Sequence, residues 1–288
     1  MNRMAAATIA VGLMAVALAA GCASAAKLSA AEIVAKNVAA RGGLDAWRKV
    51  ETMVWIGHIE SAHAPLPSMQ FKLEQKRPNK TRLQINALGD KSVRVFDGVQ
   101  GWKLRSARGR PEVQPYLPQE LKFAHAGHGI DGPLFDYAAK GNSVTLESVD
   151  EIGERKAYHL NVRLAKGGNE DVWVDTKTYL DIRYDRMADG PAGALRRVSA
   201  TYGDYRTVEG LQIPFLIETG GGPGRTPDKM QIETVVLNAP LDDSTFENPA
   251  APHPRNRGRP SVAPQAPAPA APSTAPSAAS EERGAAPL

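Results

Sequence analysis

Of the chain's 288 residues only one is cysteine, Cys22, which excludes an internal disulfide framework. It also excludes a thiol enzyme in everything downstream. Long apolar runs are equally scarce. The stretch Ala5 to Ala20 is the single candidate, and it is short and alanine-rich beside the roughly 20 strongly apolar residues a spanning helix needs. A dense basic run is missing as well. The formal net charge is +4, and half of it sits near the C-terminus, where Arg255, Arg257, Arg259 and Arg283 stand against Glu281 and Glu282. Without a basic stripe interleaved with aromatics, no nucleic-acid partner is expected.

The familiar catalytic signatures are absent too. There is no G-x-S-x-G elbow, and Gly220-Gly221-Gly222-Pro223-Gly224-Arg225 lacks the Lys-Ser/Thr of a phosphate loop, so it reads as a hairpin turn. Glu147 and Glu151 have no evident carboxylate partner. His125-Ala126-Gly127-His128 with Asp131 does not have the i, i+4 spacing of helical zinc ligands, and its glycines argue for a loop. The expectation is therefore a non-enzymatic protein with no catalytic residue, no cofactor and no metal ligand.

What is present divides the chain in three. Residues 1–26 read as an export segment: Arg3, then the apolar run, then small residues. Its end admits two processing routes. In one, Leu18-Ala19-Ala20-Gly21-Cys22 resembles a lipobox, and Cys22 is acylated and becomes the new N-terminus. In the other, cleavage follows Ala23-Ser24-Ala25 and Cys22 is discarded. Acylation at Cys22 would attach the protein to a membrane surface. Ala23, rather than Asp, after that cysteine would direct it to the periplasmic face of the outer membrane; the second route gives a soluble periplasmic protein. Residues 250–288 are rich in Pro, Ala and Ser and cannot bury enough apolar surface to offset ordering entropy, so a disordered tail is expected. One folded unit remains, residues 29–249.

That unit opens with a helix. Ser29-Ala30-Ala31-Glu32 is a capping box, Ile33, Val34 and Val38 form an apolar stripe, and Gly42-Gly43 stops it. A short helix from Leu44 to Val50 carries Trp47. The period then becomes that of strands: Thr52–Glu60, Met69–Arg77, Thr81–Ala87, Ser92–Phe96 and Gly101–Leu104, with Asp97-Gly98 as a hairpin turn. Helices are expected at 118–125 and 132–137. Seven further strands follow, from Ser143 to Leu237. The fold class is mostly β (α+β): about 11–12 antiparallel strands, too many for a flat sheet, curl into an unclosed barrel whose concave apolar face short helices cover. A cavity inside would be lined by Met53, Trp55, Ile59, Phe71, Leu73, Leu83, Ile85, Val95 and Trp102.

Several ordered motifs resemble the outer-membrane lipoprotein-sorting proteins, relatives of the carrier LolA and the receptor LolB. They are Ala31-Glu32-Ile33-Val34, Ala40-Arg41-Gly42-Gly43-Leu44, Val50-Glu51-Thr52-Met53, Lys76-Arg77-Pro78-Asn79-Lys80 and Phe96-Asp97-Gly98-Val99-Gln100-Gly101-Trp102. Further along come Asp131-Gly132-Pro133-Leu134, Val174-Asp175-Thr176-Lys177-Thr178-Tyr179-Leu180, Gly203-Asp204-Tyr205 and Leu241-Asp242-Asp243-Ser244-Thr245-Phe246. The resemblance implies a half-barrel with a cavity for acyl chains of lipids or lipoproteins, as a sorting carrier or receptor. An anchor at Cys22 would match the receptor and depart from the soluble carrier. A periplasmic sensor of envelope lipoproteins shares this fold and stays open as a role, as does an envelope hydrolase, which would need a clustered nucleophile and base.

Overall fold

The computed structural model describes residues 28–250, except 63, 65, 108–109, 190–194 and 221–225. The export segment, Cys22 and the tail beyond Ala250 lie outside the described residues. Helix α1 spans Ala30–Ala40 and α2 Leu44–Arg48. The predicted capping box is present: the Ser29 hydroxyl oxygen accepts from the Glu32 N–H at 3.3 Å, and a Glu32 carboxylate oxygen accepts from the Ser29 N–H at 2.8 Å. At the other end Gly42 and Gly43 have φ of 110° and 89°. A Cβ on Gly42 would also lie 2.6 Å from the Gly210 carbonyl, so only glycine lets α1 approach the sheet here.

Six strands follow in a meander: β1 Thr52–Glu60, β2 Ser68–Lys76, β3 Lys80–Ala87, β4 Asp90–Phe96, β5 Gly101–Ala107 and β6 Arg110–Pro115. After helix α3, Pro118–His125, seven more complete the sheet: β7 Ser143–Ile152, β8 Arg155–Arg163, β9 Asn169–Asp175, β10 Asp181–Asp189, β11 Leu195–Val208, β12 Leu211–Thr219 and β13 Asp228–Leu237. A 3₁₀ turn, Asp243–Phe246, comes last. All described pairings are antiparallel, and β1 against β13 joins the two meanders into one 13-stranded sheet that runs from β6 to β7. Those two edges do not meet, so the barrel is unclosed.

This topology positions the site. The chain leaves the sheet at one edge, β6, and re-enters at the other, β7. Residues 116–142 therefore cross between the edges, and they lie over the inner face. Glu120 of α3 fastens the crossing to that face: it accepts from the Leu117 N–H at 2.9 Å and pairs with Arg94 on β4 at 2.8 Å and Lys103 on β5 at 2.9 Å.

The inner face carries the core. Met53, Phe71, Ile213, Phe215 and Ile232 pack against Trp47 and Val50 from the α2 region, while Leu160, Val162, Val172 and Val174 pack against Ile33 and Val34 of α1. At Gly57 the β1–β13 register shifts, and a Cβ would sit 2.0 Å from the Gln231 carbonyl oxygen. Glycine marks the bulge because the partner backbone occupies the side-chain position.

Two expectations need correction, and a third, the Asp97-Gly98 hairpin, is met in a longer loop. The sheet has a thirteenth strand, Arg110–Pro115, paired with β5. Its polar, twice-prolyl sequence hid it, and such a strand is tolerated because it forms an edge. Residues 132–137 form turns rather than a helix, since Gly132 and Asp136 both have positive φ, 78° and 51°. The β4–β5 hairpin is a four-residue loop in which Asp97 Oδ1 accepts from the N–H groups of Val99 and Gln100 at 2.7 and 2.6 Å. Of the Asp97-Gly98 pair, only Gly98 takes positive φ.

Candidate ligand cavity

Strand alternation decides which of the nine candidate residues share a face. Trp55 lies opposite Leu73, Leu73 opposite Leu83, and Phe71 opposite Ile85, so with Met53 and Ile59 they form one inner surface. Val95 pairs with Trp102, but its other neighbour is Arg82, one residue out of phase with Leu83. Val95 and Trp102 therefore belong to the outer face, where Phe246 and Leu241 of the C-terminal segment cover them. Alternation within one strand cannot assign inside and outside when both faces are covered.

The inner face encloses space on either side of Gly129. One cavity, about 260 Å³, lies between β1, β2, β10–β13 and the segment 129–134. A second, about 500 Å³, lies between β2–β4 and α3. Leu73, Gln75 and Gly129 belong to both walls. Gln75 holds this junction: its side-chain oxygen accepts from Trp55 Nε1 at 3.0 Å, and its amide donates to the Gly129 carbonyl at 3.2 Å. Of the seven inner candidates, Trp55, Leu73 and Leu83 line the cavities. Met53 and Phe71 are fully packed, and Ile59 and Ile85 pack beside them.

The other wall comes from the second half of the chain, outside the candidate set: Ile217, Met230, Val172, Tyr184, Tyr202 and Tyr205. Inward tyrosines on β10 and β11 were the available signal. They make this end of the cavity polar. Asp181, at the start of β10, accepts from Arg41 Nη1 at 3.0 Å and from Asn37 Nδ2 at 2.9 Å. Burial pushes the Asp181 carboxyl up, and the Arg41 charge and Asn37 bond work against that. The Arg41 guanidinium stacks against the Trp47 and Phe135 rings, 4.6 and 4.8 Å from their centroids. Tyr205 donates to the Asp181 carbonyl at 2.9 Å, and burial raises its phenol well above the usual range. Tyr184 donates to Glu170 at 2.7 Å; burial and that carboxylate raise it likewise.

Polar contacts hold the crossing segment over this space. Arg77 forms a bidentate pair with Asp131 and donates to the Val50 and Trp47 carbonyls at 2.6 and 3.0 Å. Burial raises the Asp131 carboxyl, but Arg77 and Lys140 outweigh it and hold it below the usual range. His128 Nε2 lies 2.5 Å from Glu170, and Arg48 is bidentate with Asp136 at 2.9 and 2.6 Å. The residues weighed as metal ligands are thus separately engaged: His125 lies edge-on to Phe96, His128 meets Glu170 and Asp131 meets Arg77.

A serine, a histidine and carboxylates do meet on the outer face of β7–β9. Ser148 Oγ donates to Asp150 at 2.6 Å and lies 3.4 Å from His159 Nδ1, while His159 Nε2 contacts Asp171 at 3.1 Å. The hydroxyl proton is committed to a carboxylate of its own strand, the imidazole stacks flat on Trp173 at 4.4 Å, and the group lines neither cavity.

No family model matches the chain, and no curated protein does. Solved structures resemble it at low identity. A putative outer membrane lipoprotein-sorting protein domain from Vibrio parahaemolyticus superposes with a TM-score of 0.50 at 10% identity, over 75% of this chain and 94% of that one. A DUF1329 family protein from Desulfovibrio piger gives 0.50 at 13% identity, over 76% and 97%. A LolA superfamily protein from Nitrosomonas europaea gives 0.49 at 13% identity, over 76% and 98%. The architecture is that of an unclosed antiparallel barrel with helices on its inner face. More particularly, the fold is similar to that of the putative lipoprotein-sorting protein domain.

Proposed function

We propose that this chain is a non-enzymatic envelope protein that binds the acyl chains of lipids or lipoproteins between its half-barrel and the crossing segment, as a sorting carrier or receptor. The observation that carries this is the pair of adjoining cavities meeting at Leu73, Gln75 and Gly129. Together they fall in the range of small-molecule sites, roughly 300–1,000 Å³. Trp55, Leu73, Ile217 and Met230 on one side, and Leu83 and Phe123 on the other, give a hydrocarbon chain apolar contact. Each methylene taken from water contributes about 0.8 kcal/mol. A cover held by ion pairs and hydrogen bonds, not by continuous apolar packing, suits a protein that must also release its ligand. The fold shared with a lipoprotein-sorting domain supports the same reading. Export through residues 1–26, attachment at Cys22 and residence at the outer membrane complete the proposal.

Native mass spectrometry of the protein purified from its own envelope tests it. Acyl-bearing adducts are expected on the folded chain. A bare mass that stays bare after incubation with lipid would defeat the proposal.

A further inference from the structure

Two side chains on the smaller cavity's wall have hydrogen-bonding capacity that the protein leaves unused. The Tyr202 phenol forms part of the wall and has no hydrogen-bond partner among the described residues. The residue is half-buried, and desolvation raises its pKa, so it stands as a donor. Beside it, Arg41 engages Asp181 through Nη1, while its Nε is buried without an acceptor. A buried donor without a partner, as Arg41 Nε is, is uncommon and calls for an explanation. The neighbouring Tyr205 and Tyr184, by contrast, are both satisfied within the protein. A site for hydrocarbon alone has no use for such an end.

We propose that this end of the cavity is a headgroup subsite for one uncharged oxygen acceptor, the carbonyl of an ester- or amide-linked acyl chain, received by the Tyr202 hydroxyl beside Arg41. This rests on the acyl-binding reading and narrows it. Charge is what selects the neutral group. Among the described residues Arg41 is the one cation on this wall, and Asp181 already neutralises it at 3.0 Å; Arg186 lies on the second cavity's wall, over the Phe123 ring. Asp131 lies on the same wall, paired with Arg77 and Lys140. A free fatty carboxylate would bring another negative charge onto a wall whose one described cation is already paired, and burying an uncompensated charge is strongly unfavourable. A carbonyl takes the phenol's hydrogen and leaves the ion pair intact. From that point the chain runs past Trp55, Leu73, Ile217 and Met230 toward the second cavity.

The test is displacement of Nile red, an uncharged probe, from the full chain stripped of lipid, at pH 8. Competitors are methyl laurate, laurate and dodecane, which share a tail length class and differ at the head. Methyl laurate is expected to displace the probe at concentrations about five- to tenfold below the other two, the worth of one hydrogen bond to a buried donor. Tyr202→Phe should bring methyl laurate to the dodecane value and leave dodecane unchanged, which also reports that the variant is folded. Laurate matching the ester, or Tyr202→Phe leaving the ester's advantage intact, overturns the inference. Dodecane binding with no ester preference does the same and leaves the acyl-binding reading standing. If neither Nile red nor any competitor binds, both fall.

Discussion

Leu73 on β2 stands directly opposite Trp55 on β1, and its side chain belongs to the walls of both cavities. With Gln75 and Gly129 it marks where the two spaces adjoin. A charged group there would have to be buried among apolar neighbours or project into one of the cavities. Leu73→Arg is therefore expected to reduce retained acyl ligand at least tenfold, read as the bound fraction in native mass spectra.

Met53 makes the contrasting case. It sits on the same face but is 0% exposed and packed solid, away from either cavity wall. Met53→Ala should cost about 2–5 kcal/mol of stability in urea unfolding while leaving the ligand affinity of the folded fraction unchanged. Loss of affinity equal to that of Leu73→Arg would mean that the cavity extends into what is described here as core.

Glu120 ties α3 to the sheet and supplies a pH signature. Burial opposes its ionisation, but the Leu117 N–H, Lys103 and Arg94 pull its pKa from 4.5 down to about 2. A depressed carboxylate stabilises the fold above its unfolded value near 4.5, and that contribution is lost as pH falls toward about 2. Glu120→Gln should lower neutral-pH stability by about 1–3 kcal/mol and flatten the decline between pH 4.5 and 2. Chemical denaturation across that interval measures it; an unchanged slope contradicts the role given to this carboxylate.

Gly57 tests the bulge that joins the two meanders. Because a Cβ would lie 2.0 Å from the Gln231 carbonyl oxygen, Gly57→Ala must displace β13. A loss of about 3 kcal/mol is expected in urea unfolding, with exchange protection falling first across β1 and β13.

The proposed attachment at Cys22 is tested separately from ligand binding. Labelled palmitate should enter the wild-type protein in cells and be absent from Cys22→Ala; label persisting in the variant would remove Cys22 as the attachment point.

Much of this fold was legible in the sequence where a local rule governs. Ser29 and Glu32 announce α1, Gly42-Gly43 end it, and Asp97-Gly98 marks the hairpin between β4 and β5. What stayed hidden depends on long-range placement. Arg110–Pro115 is a strand only because β5 offers it an edge. Val95 and Trp102 alternate as inner residues would, and their true side is set by Phe246, more than 140 positions away in the chain. The cavity's polar end is assembled from Arg41, Asp181 and Tyr202, which only the curl of the sheet brings together. Trp55, Leu73 and Leu83 are the candidates found on the cavity walls, because periodicity separates faces but does not separate a filled interior from a hollow one.

Photo-crosslinking with a diazirine-bearing palmitoyl ester, mapped by peptide mass spectrometry, tests the central claim most directly. Adducts are predicted on peptides carrying Trp55, Leu73, Leu83, Ile217 and Met230, and are predicted to vanish in Leu73→Arg. Adducts confined to the outer face around Val95, Trp102 and Phe246, or none at all, would contradict an acyl chain held inside the half-barrel.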